Sequence, residues 1–516
     1  MQRGLVPSNP DGGGLSVPSG RRTGTVDPVR KHPDAGASGA ARANPPLPNA
    51  GKPRFAGGAA MRQQLTQPVP SAIPTVVAPA GAFVALLGFY IMLHTGLGGE
   101  VLKIFLHVPF PVVAIFAVIV PLAAGFTGRV GWFFRTPVAV PWLLMLAWMT
   151  FSAITSFYPR ESVSEVLPYG LRFHIMPLLF CAIATTSKSV RSLIVWAAMG
   201  MFPVLLLCFV KGEMVEGIRF AVPDTSLENP NDLAFLLLWG STLLLIFLLG
   251  KGKLGKIVTL AAIPSCFWFI LKTASRANFI TIFFVLAVAV IISAPPVRIF
   301  LLVAVPIGLA ITLPLLPKST LDRILSVVVS SSISDVAQQS NSVANAQLKG
   351  AIGSEAERME LAKLAIDATF RHPVFGVGMS MFATETADYF MKNFGTKAPW
   401  LTAHDSYLKI SSESGIPGLI FYVWSIVAGI GMTWRTFIKS RGHPEFQTTN
   451  RNSICVLLAL VVYAVGTFFC DIVYFSYLSI TMGLAAANFL SFRNESAMLN
   501  AATPVFQPNG SRLLRR

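Results

Sequence analysis

The sequence predicts an all-α membrane protein of about twelve transmembrane helices, interrupted by one large external loop that carries an amphipathic helix. Two observations lead there. Hydrophobic residues make up 53% of the 516 residues and charged residues only 13%, about half the charged share of a soluble domain. The apolar residues also recur in runs of about 18 or more, long enough to cross the hydrocarbon of a bilayer, where a helix satisfies its own backbone polar groups.

The formal charge of +17 raises the question of a nucleic-acid partner. Its placement argues against one. Much of the excess lies in the first 70 residues and in short turns between apolar runs, where membrane topology accounts for it. The five cysteines, Cys181, Cys208, Cys266, Cys455 and Cys470, lie in or at the ends of apolar runs without metal-ligand spacing. Buried thiols are expected there, with neither a disulfide framework nor a zinc site.

From the N-terminus, residues 1–75 are rich in Gly, Pro, Ala, Arg and Ser and hold too few apolar clusters to offset the entropy of ordering, so a disordered cytoplasmic tail is expected. They also lack the apolar core and small-residue cleavage site of a secretory signal. Residues 76–316 hold nine expected spans, near 80–98, 104–126, 138–157, 167–187, 191–210, 232–250, 254–271, 277–294 and 297–316. A large periplasmic loop covers 317–403, and 404–492 holds three further spans, near 415–434, 453–470 and 473–492. Residues 493–516 form a cytoplasmic tail.

Orientation follows from the charges. Alternate connections hold Arg129, Arg135, Lys188, Arg191, Lys251, Lys253, Lys256, Arg298, Arg435, Lys439, Arg441 and Arg451, with Glu445 as the single acid. The other connections hold Glu100, Glu161, Glu165, Glu213, Glu216, Asp224, Glu228 and Asp232. By the positive-inside rule the first set is cytoplasmic, and both termini with it.

Within the long loop, residues 325–352 are rich in Ser, Val, Asn and Gln and read as irregular. In contrast, SEAERMELAKLAIDATFRHPVFGVG places Met359, Leu361, Leu364, Ala365 and Ala368 at helical spacing. Ser354 and Glu357 make a capping box, and His-Pro followed by Gly-Val-Gly supplies the stop. An amphipathic helix over about 355–371 is expected, its stripe on the membrane surface or on the bundle.

The predicted external face then collects Arg219, Asn229 and Asn231, Ser275 and Arg276, Arg358, Arg172 and His174, and the stretch TAHDSYLKISSESGIPG with His404, Asp405, Tyr407 and Glu413. Each has an architectural reading as well. Arginines at span ends snorkel to headgroups; Asn229, Asn231, His404 and Asp405 suit turns and helix caps; Tyr407 suits an interfacial belt; and Glu413 before two glycines suits a turn. The combination points further. A diphosphate leaving group needs its charge stabilised, guanidinium forks match phosphate oxygens, and a nearby histidine accepts a proton from an attacking hydroxyl. External segments show no Asp-x-Asp pair and no ligand-spaced His/Asp cluster, so neither metal nor other cofactor is expected.

Three segments carry a family resemblance. HDSYLKISSESGIPGL resembles the His-Asn/Asp/Ser-x-x-Leu…Glu-x-Gly-x-x-Gly signature of the O-antigen ligase and polymerase superfamily. RMELAKLAIDATFRHPVFGVGMSMF is similar to the family's arginine, amphipathic helix, His-Pro and Gly-x-Gly, and GIRFAVPDTSLENPNDLAFLL to its arginine followed by Asn-Pro-Asn. The resemblance implies a GT-C-like glycosyltransferase bundle in the bacterial inner membrane with a periplasmic active site. Arg219 and Arg358 would bind undecaprenyl diphosphate of the donor, with Arg276 as a third ligand, and His404 would activate or orient the acceptor hydroxyl. Arg172, Asn231, Asp405, Tyr407 and Glu413 complete the candidate substrate-binding set. Implied partners are a lipid-linked oligosaccharide donor, a saccharide or lipid A core acceptor, membrane lipids and polysaccharide assembly proteins. The loop ahead of Arg358 is longer than a ligase needs, which favours a polymerase.

The alternative from another class is a polytopic transporter of a small anion such as bicarbonate. It would place charges or broken helices near the bilayer midplane. Pro203 and Pro264 within spans fit it, whereas the gathering of polar residues on one face fits the enzyme.

Overall fold

The computed structural model describes residues 81–98, 100, 101, 104, 111–215, 219–250, 252–316, 321, 358–395 and 403–502. The expected N-terminal tail, the irregular stretch 325–352 and the capping box at Ser354 and Glu357 lie outside these residues. Within them the chain is helical, and the sole sheet is one antiparallel pair, β1 (Glu213–Val215) with β2 (Arg219–Ala221), in which Met214 opposes Phe220.

Helices run in chain order as α1 (Gly81–Thr95), α2 (Pro111–Phe126), α3 (Ala139–Thr155), α4 (Pro159–Ile183), α5 (Ser187–Lys211), α6 (Pro230–Leu248), α7 (Lys253–Lys272), α8 (Arg276–Ile292) and α9 (Pro295–Leu315). Then follow α10 (358–371), α11 (Phe382–Phe394), α12 (Ser406–Ser440), α13 (Pro444–Gly466) and α14 (Ser476–Ala502). Local chemistry explains several starts. Asn229 caps α6 by accepting from Asn231 N–H at 3.0 Å, with Pro230 in the first turn, and Thr186 caps α5 by accepting from Ser189 N–H at 3.2 Å.

Every apolar segment expected to span contains a helix, and length and composition alone do not fix the number of spans at twelve. Among the described residues seven helices are long and apolar enough to cross a membrane, namely α4, α5, α6, α7, α9, α12 and α13. The apolar parts of α1, α2, α3 and α8 are shorter, at 10–17 residues. The chain is a multi-pass membrane protein. Three boundaries also move. α4 begins at Pro159 and carries a π turn at Gly170–His174, α12 begins at Ser406 rather than near 415, and α14 continues through Ala502 into the expected C-terminal tail.

Similar apolarity serves different neighbours. The apolar windows of α6 and α13 are 72% buried and form the centre of the bundle, whereas that of α9 is 0% buried and faces outward. The core around α6 and α13 includes Trp239, Phe235, Tyr463 and Tyr477, with Trp239 Nε1 donating to Thr481 Oγ1 at 3.1 Å. All five cysteines are buried free thiols.

The contacts between connections fall into two groups. Ser187 meets Asn452 and Glu495, and Asn450 meets Phe437 and Ser440, which joins the connections that hold Lys188, Arg441 and Arg451. Arg219, Asn231, Thr273 and Ser275 meet one another, and so do Ser406 and Cys470, which joins connections outside the basic set, among them the one with Asp224, Glu228 and Asp232. Charge pattern and packing sort the connections in the same way.

Candidate active site

The expected amphipathic helix is present as α10, and its stripe divides. Leu361, Ala365 and Ala368 are buried against Phe382 and Ala403, while Met359 is exposed. Thr369 Oγ1 bonds Ser411 Oγ at 3.0 Å, which ties α10 to the first turns of α12.

The two glycine motifs of the sequence meet directly. Val377 N–H donates to Ser412 O and Gly378 N–H to Glu413 O, both at 2.9 Å, and Ile416 N–H donates to Pro373 O at 2.8 Å. Gly415 has φ 69° and ψ −177°, a conformation restricted to glycine, and it breaks α12 into a short and a long piece. A Cβ at Gly415 would lie 2.2 Å from Val374 O, and one at Gly376 would lie 2.4 Å from the Glu413 carbonyl carbon. The glycines are therefore required by backbone approach as well as by dihedral angle.

Glu413 sits inside this junction with 1% exposure. Its Oε2 accepts from Ser380 N–H at 2.9 Å and from the Tyr474 hydroxyl, and its Oε1 accepts from Phe382 N–H at 3.4 Å. Ser152 Oγ donates to the Glu413 carbonyl at 2.7 Å. One residue thus joins α3, through its carbonyl, with the 376–382 turn and the segment before α14, through its carboxylate. These contacts make Glu413 a positioning residue, since both its oxygens are occupied by donors of the fold.

Preceding it, His404 has φ 53°, in the left-handed region, and turns the chain into α12. Asp405 Oδ1 then caps the helix by accepting from Tyr407 N–H at 2.7 Å and Leu408 N–H at 3.0 Å. Burial pushes the Asp405 acid up to about 6; the bonds from Leu408 and Tyr407 hold it down and the neighbouring Asp471 charge raises it further. Tyr407 is packed against Phe468, with ring centroids 4.2 Å apart, and donates its hydroxyl to Ala464 O, so it is a core contact rather than a belt residue.

Ser406 fastens this segment to the turn between α13 and α14. Its N–H donates to Thr467 O at 2.9 Å, its hydroxyl to Cys470 O at 2.6 Å, and it accepts from Ile472 N–H at 3.1 Å. The same turn reaches α6, because Cys470 Sγ donates to Asn231 O at 3.7 Å. Burial holds that thiol well above the usual range, so it is no nucleophile.

Asn231 is a buried hub. Its Oδ1 accepts from Arg219 Nη2 at 2.8 Å and from Ser275 Oγ at 2.9 Å, and its carbonyl accepts from Asn278 Nδ2 at 3.1 Å. Arg219 Nε also donates to Thr273 O at 3.3 Å, so α6 and the residue that caps α7 both hold this guanidinium. Arg358, half-buried at the first described residue of α10, acts electrostatically on Asp232 and Cys470, and Arg219 acts on Asp232 as well. Arg276 opens α8 directly after Ser275. Arg219, Asn231, Arg276, Arg358 and the 404–413 segment therefore converge at one end of the bundle. Arg172 stands apart from the hub contacts: it is exposed on the π turn of α4, with Tyr90 donating to its carbonyl and His94 within its field.

Sequence reasoning missed Lys409 and Asp471. Their ion pair is 2.9 Å long, the side chains are 14% and 10% exposed, and Lys409 Nζ lies 5.0 Å from the Tyr474 ring centre. Asp471 was legible as a lone acid in a two-residue gap between apolar runs, where a bare turn has no need of charge. Asp232, read only for topology, faces the same centre.

Two outcomes follow from the junction and the cap. Gly415→Ala should cost about 1–3 kcal/mol in backbone strain alone and Glu413→Gln a similar amount through mismatched donors, each lowering the thermal midpoint of the solubilised protein. A wild-type midpoint for both would mean the junction is not as tight as its distances. Because Asp405 holds its proton in the folded chain above the pH at which the unfolded chain releases it, stability should fall as pH rises from about 4 to about 6. Asp405→Asn keeps a capping oxygen and should flatten that slope; an unchanged slope would assign it to another group.

Comparison with known proteins adds a likeness over part of the chain. No curated protein matches the chain in sequence. Residues 240–423 match the family model for O-antigen ligase, a segment that runs from within α6 through Arg276, Arg358, the Gly376–Gly378 turn, His404 and Glu413. The matched segment is similar to an O-antigen ligase domain and supports the O-antigen ligase and polymerase likeness read from the sequence motifs, with its link to polysaccharide biosynthesis.

Proposed function

We propose that the chain is an inner-membrane glycosyltransferase that moves saccharide units from undecaprenyl diphosphate to an acceptor hydroxyl on the periplasmic face. Carrying this reading is the convergence of Arg219 and Arg358 with the His404 turn at the end of the bundle that bears the acidic connections. The positive-inside pattern makes that end periplasmic and leaves both termini in the cytoplasm.

Chemistry at this end runs as follows. His404 accepts the proton of the acceptor hydroxyl, the acceptor oxygen forms a bond to the anomeric carbon, and the bond from that carbon to the diphosphate oxygen breaks. Undecaprenyl diphosphate leaves with its electron pair, and Arg219 and Arg358, with Arg276 beside them, balance the negative charge that develops. No metal takes part in this scheme. Asn231 and the Asp405 and Glu413 contacts hold the arginine and histidine segments in place, and Arg172 would meet the donor only at the margin.

A place for the lipid is also available. α3 and α4 frame an apolar groove of about 410 Å³ that includes Leu143, Leu146, Ile154, Leu167, Leu171 and Leu178. Ala153, on its wall, follows Ser152, which bonds the Glu413 carbonyl, so the groove adjoins the glycine junction. A polyprenyl chain fits such a surface and would leave its diphosphate at the polar end. The acceptor would be lipid A core or a growing polysaccharide, and the long 317–403 segment favours a polymerase working with other assembly proteins. Transport of a small anion is disfavoured because Asp232, Lys409, Glu413 and Asp471 gather at one end rather than at mid-span.

In proteoliposomes with a lipid-linked donor, Arg358→Lys should slow transfer about 10- to 100-fold, since a point charge replaces a fork. His404→Ala should slow it by about 10²-fold or more, and EDTA should leave the wild type unaffected. Wild-type rates in either variant would remove that residue from the reaction, and loss of turnover in EDTA would require a metal.

A further inference from the structure

α10 has three faces rather than two. At 100° per residue, Leu361, Ala365, Ala368 and Thr369 share one side, all of them buried on the bundle. Glu360, Lys363, Asp367 and Arg371 share a second, all exposed. Between these lies a third stripe of Met359, Ile366 and Phe370, exposed by 57%, 43% and 73%.

A water-facing helix has no use for that third stripe. Its neighbours indicate what covers it. Beyond Phe370 the apolar surface continues through exposed Val374 and Phe375, and Phe375 stacks on Trp148 of α3 with ring centroids 5.2 Å apart. Trp148 Nε1 donates to Val374 O and Ser414 O, which fixes this corner against α12, whose outward residues Ile416 and Ile420 are exposed in turn. On the α3 side, exposed Phe157 meets His372 edge-on. The stripe is thus continuous with the outward faces of α3 and α12.

We infer that α10 lies in the interfacial layer of the bilayer, with Met359, Ile366 and Phe370 among the lipid chains and Glu360, Lys363, Asp367 and Arg371 toward water. A helix with a narrow apolar stripe beside a charged face takes this position, and Lys363 at its edge reaches the headgroups. The charged face is itself fastened: Arg371 bonds Asp367 at 2.9 Å and pairs with Glu385 of α11, and Tyr158 donates to Asp388 of the same helix. Lipid contact on one side and bundle contact on another would set the depth of Arg358, on the same helix. This placement depends on the membrane reading and not on the transfer reaction.

The test uses the full-length protein in phosphatidylcholine–phosphatidylglycerol vesicles, with bimane on Phe370→Cys and, separately, on Asp367→Cys; the native thiols are buried. Nitroxide placed high on the lipid chains should quench the label at 370 severalfold more than the label at 367, and aqueous iodide should show the reverse order. Equal access of iodide to both positions would overturn the placement. Protection of position 370 from both quenchers would also overturn it and point to a protein partner or second copy on the stripe. Ile366→Cys repeats the measurement should the label at 370 impair insertion.

Discussion

The backbone junction between the Gly376–Gly378 turn and the Glu413–Gly415 turn is the constraint on which the candidate site depends. Three main-chain hydrogen bonds close it, two glycines permit the approach, and the Glu413 carboxylate fills the space that remains. Its consequence is geometric. α12 is broken at Gly415, so its first nine residues form a separate short helix that presents His404 at its start while the rest continues as a membrane span. Without the break, His404 and Asp405 would ride on a straight helix, and the fastening of Ser406 to the Cys470 turn would not form in the same place.

Near this junction several charged groups face partners inside the fold, and Lys409 with Asp471 is a buried ion pair. Lys409 with Asp471, Arg219 with Asn231, and the field of Arg358 on Asp232 all lie at the same end. A buried pair gains little net stability over apolar packing, so such a concentration is better explained by what it binds than by what it stabilises. An anionic, partly lipid-embedded donor is a substrate that needs both a polar centre with guanidinium groups and an apolar groove, and the groove here adjoins the glycine junction.

The fold was legible where the physics is local or one-dimensional. Apolar runs marked the helices, the charges of the connections sorted the two ends, and the spacing of Leu361, Ala365 and Ala368 marked α10. Span length was less legible, because α4 opens on the polar residues PRESVSE and the apolar stretches of α1, α2, α3 and α8 are short. Within the site, the motifs pointed to segments that the fold brings together but not to the contacts that their residues make. Glu413, Tyr407 and Asp405, read as substrate candidates, hold a junction, a packed ring and a cap. Lys409 and Asp471, 62 residues apart, become partners only once α12 and the α13–α14 turn are packed, and no periodicity records that.

The account's central claim is that this polar end transfers glycans from a lipid carrier, and a deletion strain tests it most directly. Surface and secreted glycans and lipid-linked intermediates would be profiled on gels from the deletion strain, complemented with wild type or with His404→Ala. The account predicts that single repeat units accumulate on the carrier, or that finished chains stay unattached, and that only the wild-type chain restores the profile. An unchanged profile in the deletion strain, secreted polysaccharide included, would contradict it.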